Sequence, residues 1–237
     1  MQFSLEPYPY IDFHTHKRVH AGDDDVVEII SMHSDVKKEA AWYTVGFHPW
    51  WSHTRLLEQD LAWLHHQLED EKACIGVGEC GLDGLKGADA QIQEKNFEIQ
   101  LSIAEKFNAP VIIHCVRRYD RLLQIRKHWR SQQWVVHGYR RNKMLTKQLL
   151  DEGIKLSVSP FDSINPSFAE TLSYLPDNDY FLETDSDHRV DIVGRYRLMA
   201  ELRKIDIFAL RKQMYQNCCN FFQWKQWPQP GLSAPHY

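Results

Sequence analysis

Eight short apolar runs, separated from the third onward by helix-like segments, constrain the fold of this chain more than any other feature. They are YIDFH (10–14), VVEIIS (26–31), WYTVGF (42–47), ACIGVGE (73–79), PVIIHC (110–115), QWVVHG (133–138), IKLSVS (154–159) and YFLETD (180–185). Each has strand length and is rich in Val, Ile or aromatic residues. Between them, 93–107 places Phe97, Leu101 and Ala104 at helical spacing, and 142–153 ends on Gly153, a residue suited to a helix C-terminus. Repeated strand–helix alternation predicts a parallel sheet, and eight strands predict an α/β fold closed as a (β/α)8 TIM-type barrel. The first two connections are too short for full helices, so irregularity is expected over the first strands. The 237 residues suit one such domain. We read a single barrel over 1–225 and a proline-containing tail over 226–237.

In a parallel barrel the chemistry sits at the C-terminal ends of the strands, and here the apolar runs give way to the same few residue types. In the first run Asp12, His14 and His16 occupy every second position. Strand alternation puts them on one face, with Ile11, Phe13 and Thr15 on the other. The third run leads to His48, the fourth to Glu79, the fifth to His114, the sixth to His137 and the eighth to Asp185. Imidazole and carboxylate together suit Zn²⁺, Mn²⁺ or Fe²⁺, and a carboxylate-rich site tolerates Mg²⁺. There are more candidate ligands than one tetrahedral ion uses, which favours a two-metal site. Cys80 and Cys115 directly follow Glu79 and His114, so alternation turns both thiols away from the ligand face.

The remaining composition limits the setting. Five cysteines, odd in number and without CxxC spacing, fit free thiols in a reducing cytoplasm. No stretch reads as a secretory signal or as 18 consecutive apolar residues, so no membrane span is expected. The net charge of −4 gives no global basic field for nucleic acid. A metal site can nonetheless hold phosphates whatever the overall charge.

At these positions the sequence resembles the TatD-like metal-dependent nucleases of the amidohydrolase superfamily. The resemblance rests on DxHxH at Asp12-His14-His16, GxHPW at 46–50, GExGLD at 78–83, PVIIH at 110–114, the HG-aromatic step at 137–139 and ETD at 183–185. Asn217 and Phe221 echo the family's terminal N-x-x-x-F. The resemblance implies an eight-stranded barrel holding two or three divalent ions, of Mg, Mn or Zn. His14 and His16 would hold one ion, Glu79 would bridge, His114 and His137 would hold the second, and Asp185 would reach a metal and the attacking water. It implies a phosphodiesterase acting on DNA, a 3′→5′ exonuclease on single strands or frayed ends, with a metal-activated water attacking phosphorus. Asp185, Glu79 and His48 are then the catalytic residues, His48 with Arg117 and Arg118 binds substrate, and Asp12 supports the neighbouring histidines.

Three segments depart from the family pattern. HCVRR (114–118) moves the substrate-facing arginine to Arg117 or Arg118, HGYRRN (137–142) replaces small residues with Arg140 and Arg141, and SDHRVDI (186–192) shortens the loop after ETD. These segments shape the substrate site, so two other readings stay open. One is a metal-dependent hydrolase of a small ester, lactone or amide; the other is a subunit of a nucleic-acid-processing assembly with a protein partner.

Trp50 and Trp51 suit either stacking on bases or packing, with packing expected of at least one. The basic segment 117–130 also carries an apolar stripe, so much of its charge reads as a solvated helix face. His188, three residues past Asp185, is a candidate for lining the mouth or an ordinary loop residue, and Asp83 is expected to hydrogen-bond loop backbone.

Overall fold

Eight parallel strands in sequential order form one sheet in the computed structural model, which describes residues 8–33, 42–52, 54–161, 165–187 and 189–223. The strands are β1 (Tyr10–Thr15), β2 (Val26–Met32), β3 (Trp42–Val45), β4 (Cys74–Asp83), β5 (Val111–Val116), β6 (Trp134–Val136), β7 (Ile154–Val158) and β8 (Tyr180–Leu182). The helices are α1 (Glu58–Asp70), α2 (Ala90–Lys106), α3 (Tyr119–Arg126), α4 (Lys143–Asp151), α5 (Pro166–Tyr174), α6 (Ile192–Arg203) and α7 (Ile207–Phe221). Among the described residues the first helix follows β3, as the short early connections require. The tail at 226–237 and His188 lie outside the described residues.

The sheet closes where β1 meets the end of β8. Thr15 and Asp185 form a parallel bridge, and the Asp185 amide donates to the His14 carbonyl at 2.9 Å. Beside them the Asp12 carboxylate accepts from the Thr184 amide at 2.8 Å and the Thr184 hydroxyl at 2.6 Å.

Alternation along each strand sorts the core. Ile112 and Val135 face the barrel interior with Ile29, Phe13 and Phe181, and α7 seals this cluster with Cys218 and Phe221. Their neighbours Ile113, Cys115 and Val136 face outward and pack beneath the helices, against Phe97, Leu101, Leu122 and Leu149. Each such fully buried side chain contributes about 1.5–3 kcal/mol. The same parity that turns Ile112 inward turns His114 inward one step further along β5. Cys80 and Cys115 lie in the outer cluster, as expected. Burial pushes the Cys115 thiol up to about 12.

β1 corrects one expectation. The pairing with β2 shifts register between Asp12 and Thr15, so strict alternation fails there. Phe13 enters the interior and stacks on Phe181 at 4.0 Å between ring centroids. Asp12 turns to Thr184, where Thr15 also arrives, its hydroxyl 3.1 Å from that of Thr184. Of the three polar residues only His14 and His16 reach the centre. Asp12 fastens β8 to β1 instead of supporting the histidines directly.

Candidate metal centre

Glu79 stands in the middle of the barrel mouth, 2 % exposed. His137 Nε2 lies 2.7 Å from its Oε1, and His48 Nε2 and His114 Nδ1 each lie 2.9 Å from the same oxygen. On the other oxygen, Oε2, His16 Nε2 lies at 3.4 Å and His14 Nε2 at 3.5 Å. Asp185 joins through His16 Nε2, 3.3 Å from its Oδ1. Donor atoms fall into three overlapping groups of metal-binding size: His14–His16–Asp185, His14–Glu79–His137 and His48–Glu79–His114. All six residues read as metal ligands therefore converge, and His48 joins them.

Local backbone explains how Glu79 gets there. Gly78 and Gly81 have φ of +141° and +143°, a region L side chains rarely adopt. A Cβ on Gly81 would collide with the His114 carbonyl oxygen, so glycine lets β4 pass close to β5 at the level of the centre.

The electrostatics fit a cation. Burial opposes ionisation of Glu79, yet His137, His114 and His14 outweigh it and hold the carboxyl well below the ordinary range. Burial and the nearby His137 lower His14 to about 4, leaving a neutral imidazole. Its Nε2 is buried with no hydrogen-bond partner among the described residues, facing the Glu79 carboxylate. A ligand nitrogen left unsatisfied beside an ionised carboxylate oxygen suits a metal ion between them. Against the pull of burial, hydrogen bonds to Asp185 and Glu79 lift His16 to about 10, and Glu79 lifts His137 to about 9. A bound cation would replace those protons.

A second layer holds the ligands in place. The His114 ring spans two carboxylates, with Nε2 3.0 Å from Asp83 Oδ2. Trp50 Nε1 donates to the same Asp83 oxygen at 2.6 Å, and Asp83 Oδ1 accepts from the amides of Leu85 and Lys86. Asp83 thus bonds loop backbone as expected, and also orients a ligand histidine. Glu183 lies behind His137, its Oε1 accepting from the Gly138 amide at 2.5 Å, and burial raises its carboxyl to about 7.

Three amides on α2 escaped the sequence reading. Gln93 clasps the chain at Asp83, Lys86 and Ala88; Asn96 bonds Leu56 and Thr54; Gln100 brackets both backbone groups of Phe47, directly before His48. Their signal was present as amides at helical spacing on an otherwise buried face.

Two adjoining cavities occupy the mouth. One, of about 500 Å³, is lined by the centre together with Trp50, Trp51, Tyr119 and Arg141. The other, of about 450 Å³, shares His33, His48 and Trp51 with it. Trp50 is half-buried, its indole nitrogen bonded to Asp83, whereas Trp51 is 53 % exposed. Arg117 is exposed in the left-handed region, with φ +52°, and Arg118 precedes α3. Neither lines the two cavities. Arg141 does, its guanidinium 5.7 Å from the Tyr119 ring centroid.

A parallel eight-stranded barrel with a histidine–carboxylate centre at the C-terminal ends of its strands is the architecture of the metal-dependent hydrolase barrels. The family model for the TatD related DNases matches residues 19–223, and the chain belongs to that family. A 3′-5′ ssDNA/RNA exonuclease TatD of Pantoea ananatis is 27% identical over 161 residues, covering 65% of this chain and 61% of the relative. The chain thus spans about three fifths of the length of that curated relative. An uncharacterized metal-dependent hydrolase of Methanocaldococcus jannaschii is 23% identical over 198 residues, 79% of this chain and 78% of the relative. Among solved structures, a TatD homologue of Escherichia coli superposes with a TM-score of 0.75 at 21% identity, covering 90% of this chain and 98% of its own. A TatD family hydrolase of Entamoeba histolytica gives 0.76 at 15% identity, covering 92% and 99%. No helix among the described residues is long and apolar enough to cross a membrane.

Proposed function

We propose that this chain is a metal-dependent phosphodiesterase that shortens single-stranded DNA, or frayed ends, from the 3′ terminus. The observation that carries the reading is the Glu79 carboxylate ringed by five imidazole nitrogens between 2.7 and 3.5 Å. Family membership and the exonuclease relatives supply the substrate class. Two cavities on either side of the His48–Trp51 wall give room for a chain-like substrate, which favours DNA over a small ester or amide.

The overlapping donor groups suit two cations. His14, His16 and Asp185 would hold one and His48 with His114 the other, with Glu79 and His137 between them. The imidazole-rich donor set suits Zn²⁺ or Mn²⁺ better than Mg²⁺. Such ions, when bound, acidify a water and take up charge on a phosphate. The Asp185 backbone is fixed to His14, and its side chain is kept ionised by His16 against the opposing pull of burial. That carboxylate would orient the attacking water and accept its proton. Arg141, at the cavity wall, replaces Arg117 and Arg118 as our assignment for the group that neutralises the phosphate. The five free thiols suit a reducing compartment, and we place the protein in the cytoplasm as a single barrel.

Chelation and add-back test the reading. The purified chain should degrade a 5′-labelled single-stranded oligonucleotide, lose that activity in EDTA, and regain it with excess Mn²⁺ or Zn²⁺. Degradation that persists in EDTA, or none under any metal, would refute it.

A further inference from the structure

The smaller cavity has no residue assigned to a role in the nuclease reading beyond His48, and its walls are specific. It adjoins the centre across His48 and is bounded by Trp51, His33, Ser52, Thr54, Arg55 and Asp60. Trp51 is the one aromatic among the large exposed apolar side chains of the described residues. It is also held in place. The His33 ring meets it edge-on at 4.3 Å, and the His48 ring lies at 4.9 Å and 41°. An indole half open to solvent yet braced by two neighbours gives up little freedom when a flat ligand stacks on it.

The polar groups around the indole complete a recognisable pattern. Arg55 is exposed at the cavity wall and offers a guanidinium for a phosphate. The acidic side chain of the wall, Asp60, already accepts from the Leu57 amide at 2.8 Å. Ser52 Oγ donates to the His48 carbonyl at 3.1 Å, tying this wall to the residue that borders both cavities. A π-face with a nearby cation matches what single-stranded nucleic acid presents at every residue, a base and a phosphate.

We propose that this cavity is a nucleotide subsite. It would bind the nucleotide flanking the scissile phosphate, with Trp51 stacking on the base and Arg55 pairing with the phosphate on its far side. The assignment rests on the nuclease reading and extends it. The enzyme engages a unit larger than one phosphodiester, through contacts any base can make.

Abasic substrates separate the subsite from the centre. Oligonucleotides lacking the base of the 3′-terminal or the penultimate residue are compared with intact ones for wild type, Trp51→Ala, Trp51→Phe and Arg55→Gln. On intact DNA, Trp51→Ala should lower kcat/KM roughly tenfold. Trp51→Phe should recover most of that loss, and Arg55→Gln should raise KM. On the abasic oligonucleotide whose missing base normally stacks, wild type should be slowed by a similar factor, and Trp51→Ala should add less than twofold. A Trp51→Ala loss equal on intact and both abasic substrates would mean that Trp51 acts only through His48, and would overturn the subsite. Wild type that cuts none of these substrates under any metal would instead overturn the nuclease reading itself.

Discussion

Replacing Glu79 with Gln keeps the side chain's size but removes the charge on which five imidazoles converge. In the metal-free protein two of those imidazoles, His16 and His137, are held protonated to about 10 and about 9, with Glu79 among the causes in both cases. Their folded pKa values stand above the ordinary 6.5. The stability they contribute is therefore fully present below pH 6.5 and lost as pH rises through 9–10. Glu79 itself is depressed, so its contribution is present above pH 4.5 and lost as pH falls through its low folded value. At pH 6 both conditions hold, and Glu79→Gln breaks a buried charge cluster at a cost of about 3–5 kcal/mol. At pH 10 His137 is largely neutral and His16 is about half neutral. The cost should fall toward that of hydrogen bonds from neutral imidazoles to the carboxylate, about 1.5–3 kcal/mol. Urea unfolding of EDTA-treated wild type and variant at the two pH values measures the difference. Equal destabilisation at pH 6 and pH 10 would show that the cluster is not held by charge.

Three further outcomes follow from particular contacts. Gly81→Ala forces a Cβ against the His114 carbonyl at a φ of +143°, and should lower stability by about 3 kcal/mol in urea unfolding and weaken metal binding measured by titration calorimetry. Thr184→Val removes the hydroxyl that satisfies buried Asp12, and should cost about 1–3 kcal/mol in the same unfolding assay while leaving metal stoichiometry intact. Arg141→Ala should reduce DNA turnover by roughly 10²-fold and flatten its salt dependence, whereas Arg117→Ala should change turnover less than threefold; the reverse ranking in steady-state rates would return the phosphate contact to the β5–α3 turn.

Much of this was legible in the sequence because barrel strands repeat one simple rule. Short β-branched runs ended in His or a carboxylate, and parity along β5 placed His114 inward and Cys115 outward. The rule failed where the backbone departs from it. The register shift in β1 took Asp12 to Thr184, and nothing in DFHTH marks a bulge. The run ending at Glu79 continues to Asp83 because Gly78 and Gly81 let β4 follow β5 further, which brings Asp83 under His114. Arg117 and Arg118 follow a ligand strand closely in sequence, but the chain turns at Arg117 and neither residue lines the cavities. Arg141 arrives from the next loop. Such placements depend on how loops turn, which residue spacing does not encode. The amides of α2 illustrate another blind spot: a polar residue on a buried helix face is informative only once the loop it clasps is known.

The most direct measurement is the pattern of products from a 5′-labelled single-stranded oligonucleotide, digested in Mn²⁺ by wild type and by Glu79→Gln. The account predicts a ladder shortening one nucleotide at a time from the 3′ end with wild type, and its loss by several orders of magnitude in the variant. A ladder of equal intensity with both proteins, or internal cuts in place of a 3′ ladder, would contradict it.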